Sequence, residues 1–155
     1  AVEEEHIVSG LAAVRWPGRL EVVRRNPTVI LDGAHNPAAG NVLVDSLKRY
    51  YAWRRFILVF GVLLDKDYPE MIKRLCPLAD RVILTLPDTE RAAPPDRLFP
   101  IAARYCRDVA IILSPRQAIR KAVSEAAVDD LICVCGSLYL VGEVKGILPR
   151  GSFSS

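Results

Sequence analysis

Apolar and polar positions along this chain follow two periods. Short apolar runs at 20–23, 28–31, 55–60, 81–86, 109–113 and 131–135 have the length and β-branched content of strands. Between them lie longer segments whose apolar residues recur at helical spacing. Only Arg24-Arg25-Asn26-Pro27 separates the first two runs, too little for a parallel crossover, so they should pair antiparallel. A helix over 37–50 follows, with Ala39, Val42, Leu43, Ser46, Leu47 and Tyr50 on one face and Lys48 and Arg49 at the end that favours cations. The 55–60 run is apolar without alternation, as in a strand covered on both faces. Asp67 and Glu70 then stand at capping-box spacing ahead of Met71, Ile72 and Leu75.

Residues 87–95 form a charged, proline-rich loop, and a helix over 95–105 is predicted to bury Leu98, Ile101, Ala102 and Tyr105. Ser114-Pro115-Arg116-Gln117 opens the cleanest helix: a serine cap, proline at the first position, glutamine three residues on. Ala118, Ile119, Ala122, Val123 and Ala126 share its apolar face, and Gly136-Ser137 leads into a final helix over 138–145. Strands alternating with helices predict an α/β, Rossmann-like fold. Its doubly wound, mainly parallel sheet should have an antiparallel edge strand and helices on both faces.

Composition narrows the function. A length of 155 residues fits one domain, and 51% hydrophobic with 25% charged residues is globular. The net charge of +3 is small and dispersed, which argues against nucleic acid while leaving a mild preference for anionic ligands. The longest apolar run, 56–64, is far short of the ~20 residues of a membrane span. Glu3-Glu4-Glu5 is unlike a signal peptide, so a soluble, cytoplasmic protein is expected. Cys76 and Cys106 fall on helical patterns, and Cys133 and Cys135 on one face of a strand. No C-x-x-C pair or zinc-ligand histidine accompanies them, so buried thiols without a disulfide are expected. The chain starts at Ala1 without a methionine, which suggests an excised piece of a longer protein; 151–155 read as disordered.

The candidate chemistry lies at strand tips. The 28–31 run ends in Asp32, turns at Gly33, presents His35 and Asn36, and enters a helix through Pro37. That order suits a ligand site at the carboxyl end of a sheet strand. Asp32 can accept from ribose hydroxyls, or it can bond its own turn. His35 is structural, or one of several donors for an anion at the helix start. Gly136-Ser137 repeats the geometry, with Ser137 as helix cap, carboxylate donor, or both. Arg19 could grip phosphate or be an ordinary surface arginine. Lys66, within Asp65-Lys66-Asp67, belongs to a solvated capping loop that could also reach the crevice. There is no G-x-x-x-x-G-K-[ST] loop, no G-x-G-x-x-G and no carboxylate cluster for magnesium.

Pro17-Gly18-Arg19-Leu20-Glu21, Leu31-Asp32-Gly33-Ala34-His35-Asn36-Pro37, Phe60-Gly61 with Asp65-Lys66-Asp67, and Cys135-Gly136-Ser137-Leu138-Tyr139-Leu140-Val141-Gly142 occur in that order. Together they resemble the C-terminal domain of the folylpolyglutamate synthase and dihydrofolate synthase family, within the Mur ligase superfamily. The Asp-Gly-Ala-His-Asn-Pro form points to the folate branch. The resemblance implies an ATP-dependent ligase that joins L-glutamate to folate or dihydropteroate through an acyl phosphate. It implies that Arg19 contacts the ATP phosphates, Asp32 the ribose, and His35 and Ser137 the glutamate, with Asn36 and Lys66 at the rim.

It further implies that 1–15 end an interdomain segment, 16–148 form the glutamate ligase domain, and 149–155 are a tail. The family's N-terminal ATPase-like domain, with its phosphate loop and Mg2+ ligands, has no counterpart here. The domain is therefore expected to bind ATP and Mg2+ weakly alone, to be inactive without that partner domain, and to be monomeric. Two alternatives are another Mur-type ligase, acting on peptidoglycan precursors or polyamino acids, and a non-catalytic nucleotide-binding module.

Overall fold

A computed structural model describes residues 17–148; the expectations for 1–15 and for the 149–155 tail fall outside the described residues. The elements are β1 (Glu21–Arg24), β2 (Thr28–Leu31), α1 (Pro37–Tyr50), β3 (Phe56–Phe60), α2 (Tyr68–Leu75), β4 (Arg81–Leu84), α3 (Pro95–Ala102), β5 (Val109–Ile111), α4 (Pro115–Glu125), β6 (Leu131–Cys135) and α5 (Leu138–Ile147), with a 3-10 turn at Cys76–Leu78. The six strands form one sheet in the order β1-β2-β6-β3-β4-β5. β1 runs antiparallel to β2, and every other pairing is parallel.

Crossover handedness explains how the helices divide between the faces. From β2 through β3 and β4 to β5 the chain steps in one direction, so right-handed connections put α1, α2 and α3 on one face. The return to β6 runs the other way and puts α4 on the opposite face, where α5 joins it. Alternating side chains of the central strands serve both layers. Phe56, Leu58, Phe60, Cys133 and Cys135 pack with Leu43, Leu47, Met71, Ile72 and Leu98. Ile57, Val59, Ile132 and Val134 pack with Ala118, Ile119, Leu140 and Val144. All ten residues of β3 and β6 are buried, the physical reason these runs lack polar alternation. Each large side chain so covered contributes about 1.5–3 kcal/mol.

Several boundaries differ from the sequence pattern. β1 starts at Glu21 because Leu20 has φ 43, which breaks the extended run. β4 ends at Leu84, although Leu86 N–H still donates to Leu113 O at 3.0 Å, and Pro87 beyond it has no N–H to give. β5 is only Val109–Ile111. α3 carries Pro100 and stops at Ala102; Arg104 and Tyr105 then close tight three-residue turns onto Ile101 O and Ala102 O. Tyr105 is consequently 38% exposed rather than buried, and Cys106 lies past the helix.

On α1 the core stripe is Gly40, Leu43 and Leu47, rotated from the expected one, so that Val42 and Tyr50 are each 66% exposed. Both lie on the flank of the helix turned from the sheet. All four cysteines are buried free thiols.

Candidate functional site

The loops after β2 and β6 leave the sheet toward opposite faces, β2 into α1 and β6 into α5, although the two strands are neighbours. Where adjacent strands diverge in this way, a crevice opens at their carboxyl ends. The register fixes what lines it. Leu31 pairs with Val134 and Phe60 with Cys135, so Asp32, Gly61 and Gly136 emerge side by side. The antiparallel pairing of Glu21 with Leu31 brings the turn ahead of β1 to the same edge.

Backbone hydrogen bonds knit these loops together. Asp32 N–H donates to Val134 O at 2.9 Å, and Gly136 N–H donates to Ala34 O at 2.9 Å. Gly33 N–H donates to Gly18 O. Gly136 has φ 112, and a Cβ there would overlap Gly61 O and lie 2.9 Å from Phe60 Cε2, so a side chain has neither the conformation nor the space. Gly33 needs no left-handed backbone; it is small because Leu138 Cδ2 and Gly18 O press against it.

Asp32 is half-buried, and both carboxylate oxygens accept from backbone. Oδ2 takes Leu20 N–H at 2.9 Å and Oδ1 takes Ala34 N–H at 2.8 Å. Its turn-bonding role is therefore present. A carboxylate has about four acceptor positions, so each oxygen keeps capacity for a further donor. His35 Nδ1–H donates to Gly33 O at 2.8 Å, since a carbonyl oxygen can only accept. Asn36 is the α1 cap: its Oδ1 accepts Ala39 N–H at 2.8 Å.

Ser137 caps α5, its Oγ accepting Tyr139 N–H at 3.0 Å, and the residue is only 2% exposed. Its hydroxyl proton is left to donate. Arg19 is exposed in the turn before β1. The three loops that carry Arg19, Asp32 with His35, and Ser137 are thus bonded to one another at one end of the sheet.

Lys66 follows β3 on the same edge, with Nζ 3.9 Å from Asp65 Oδ2. Its loop is bonded to the segment after β4 through Leu64 N–H to Arg91 O and Ala93 N–H to Val62 O, each 2.8 Å, and through the Asp65–Arg91 ion pair. Asp67, next to it, caps α2 by accepting Glu70 N–H at 3.3 Å. Among the described residues no group of three or more His, Cys, Asp or Glu could hold a metal ion. A groove of about 610 Å³ lies elsewhere, along Ile111–Ser114 and α4 at the β5 edge. Sequence reasoning passed over Glu21 and Lys145, which pair at 2.8 Å beside the Arg19 turn. A glutamate in a strand and a lysine 124 residues later carry no local signal of proximity.

A doubly wound, mostly parallel sheet with helices on both faces and loops gathered where its strands diverge defines a Rossmann-like α/β domain. Within that class, residues 18–138 match the family described as "Mur ligase, glutamate ligase domain", and the chain belongs to that family.

Its relatives include a probable bifunctional folylpolyglutamate synthase/dihydropteroate synthase from Halobacterium salinarum, 35% identical over 93% of this chain and 18% of the relative. A dihydrofolate synthase/folylpolyglutamate synthase from Bacillus subtilis is 33% identical over 93% of this chain and 33% of the relative. Among solved structures, Mycobacterium tuberculosis folylpolyglutamate synthase complexed with ADP superposes with TM-score 0.85 at 31% identity, covering 96% of this chain and 36% of that one. The chain therefore spans a third or less of the curated relatives named here. Among the described residues no helix is long and apolar enough to cross a membrane.

Proposed function

We propose that this chain is the glutamate ligase domain of an ATP-dependent ligase that adds L-glutamate to folate or dihydropteroate. A substrate carboxylate oxygen attacks the γ-phosphorus of ATP, the bond to ADP breaks, and an acyl phosphate forms. The glutamate amine then attacks the acyl carbon, loses a proton as the amide forms, and expels phosphate. The observation that supports this reading is that the loops bearing Arg19, Asp32 with His35, and Ser137 are held together by the Gly33–Gly18, Leu20–Asp32 and Gly136–Ala34 hydrogen bonds.

Each residue has chemistry suited to its part. The Arg19 guanidinium matches phosphate oxygens in bidentate geometry. Asp32 offers its remaining acceptor positions to ribose hydroxyls. His35 Nε2 can accept from the incoming ammonium, and Ser137 Oγ–H can donate to its carboxylate at the start of α5. Asn36 and Lys66 complete the rim.

The donor set fits a nucleotide in part. In this reading the rest of the ATP site, with the phosphate-gripping loop and the Mg2+ ligands, belongs to a partner domain. Closure of the two domains would complete the pocket. Residues 1–15 then lead from that domain, 16–148 form this one, and 149–155 are its tail. The whole ligase acts as a cytoplasmic monomer.

The test is ADP release by the two-domain ligase, with glutamate and, in turn, dihydropteroate, tetrahydrofolate and a muramyl precursor. Activity on the pteridine substrates is expected. Arg19→Ala should raise the KM for ATP about 10- to 100-fold, the loss of one charge-assisted contact. Turnover of the muramyl precursor alone would move the domain to the peptidoglycan branch. Submicromolar ATP affinity of the isolated domain would refute the split site.

A further inference from the structure

We propose that Glu21 and Lys145 form a clamp that sets the Arg19 turn, making both positioning residues for nucleotide phosphate. This rests on the reading of Arg19 as the phosphate contact.

The turn 17–20 does not adopt its shape by preference. Gly18 has φ 72, and Leu20 has φ 43, a left-handed conformation that a leucine holds only when its surroundings impose it. Three hydrogen bonds from outside impose it. Gly33 N–H reaches Gly18 O, and Leu20 N–H reaches Asp32 Oδ2, both through the loop after β2. The third anchor is of different origin: Gly18 N–H donates to Glu21 Oε2 at 2.8 Å. That carboxylate is itself held by Lys145, with Nζ 2.8 Å from Oε1 and 3.1 Å from Oε2.

Lys145 belongs to a stripe of α5 laid over the half-site. Leu138 presses on Gly33, Val141 Cγ1 would lie 3.3 Å from a Cβ at Gly18, and Lys145, one turn further, reaches Glu21. Positions 138, 141 and 145 share one helical face, so the helix capped by Ser137 also fixes the turn that presents Arg19. The Glu21 and Lys145 side chains are 24% and 45% exposed. A pair so exposed adds little to global stability, and its effect falls on the turn it holds.

Amide hydrogen exchange and urea unfolding of this chain, with nucleotide kinetics of the two-domain ligase, form the test. Lys145→Met should speed exchange at Gly18 about two- to fivefold, and Glu21→Ala about tenfold. The urea midpoint should hardly move, and Lys145→Arg should restore protection. In the ligase both variants should raise the KM for ATP several-fold, with kcat and the KM for glutamate retained. Unchanged Gly18 exchange in both variants, or equal acceleration at every sheet amide, would overturn the clamp. So would an Arg19→Ala effect on the KM for ATP that neither clamp variant reproduces, and the proposed function would then stand. If Arg19→Ala itself leaves that KM unchanged, the phosphate reading fails and the clamp's functional role with it, whatever the exchange shows.

Discussion

Replacing Gly136 with alanine tests the close approach of the β6 and β3 tips beside the crevice. Two costs follow from the geometry. At φ 112 an L residue is in a region it rarely adopts, worth about 1–2 kcal/mol. The new methyl would also meet Gly61 O, Gly61 C at 3.0 Å and Phe60 Cε2 at 2.9 Å. The first two are backbone atoms of a buried strand end, which cannot rotate away. Overpacking of that kind costs about 1–3 kcal/mol. Together they predict a loss of about 2–5 kcal/mol from a total near 5–15 kcal/mol.

Urea unfolding followed by circular dichroism would show it as a lower midpoint at unchanged slope. The matched control is Gly142→Ala on α5, where nothing lies within 4 Å of the added carbon and alanine should gain about 0.5–1 kcal/mol. A Gly136→Ala loss below about 1 kcal/mol would mean that the two strand tips are not packed as described. A Gly142→Ala loss of the same size as that of Gly136→Ala would refute the reasoning as a whole.

Two further outcomes follow from burial. Cys76 is pushed up to about 12 by burial, and Cys135 is raised well above the ordinary thiol by its hydrogen bond with Cys133 and by burial. Only the thiolate reacts, so a disulfide reagent at pH 8 should leave the native chain unlabelled and titrate all four thiols after denaturation; fast native labelling of one thiol would contradict the packing. On α1, Leu47→Ala should cost about 3–5 kcal/mol by urea unfolding, whereas Val42→Ala, 66% exposed, should change stability by less than about 0.5 kcal/mol. Similar losses from the two would return the buried face to the one expected from sequence.

Much of this protein is written locally in its sequence. The continuous apolar runs at β3 and β6 declare double-sided burial, and the short link between β1 and β2 allows only a hairpin. Asn36, Asp67, Ser114 and Ser137 all cap the helices they precede, because a cap is chemistry among residues two or three apart. Asp32, His35 and Ser137 stand out for the same reason: each follows an apolar run and precedes a helix.

Tertiary contacts decided the rest. Which side of α1 faces the sheet depends on the angle at which it lies, so Val42 and Tyr50 fell outside the core despite their period. Gly33 is small because a leucine 105 positions later leans on it, a neighbour no local pattern reveals. The order β2-β6-β3 inserts the last strand between the second and third, and that placement creates the crevice and brings Lys145 to Glu21. Local hydrogen bonding and burial period travel with the chain, whereas strand order and helix docking are settled only when distant apolar faces compete for the same core.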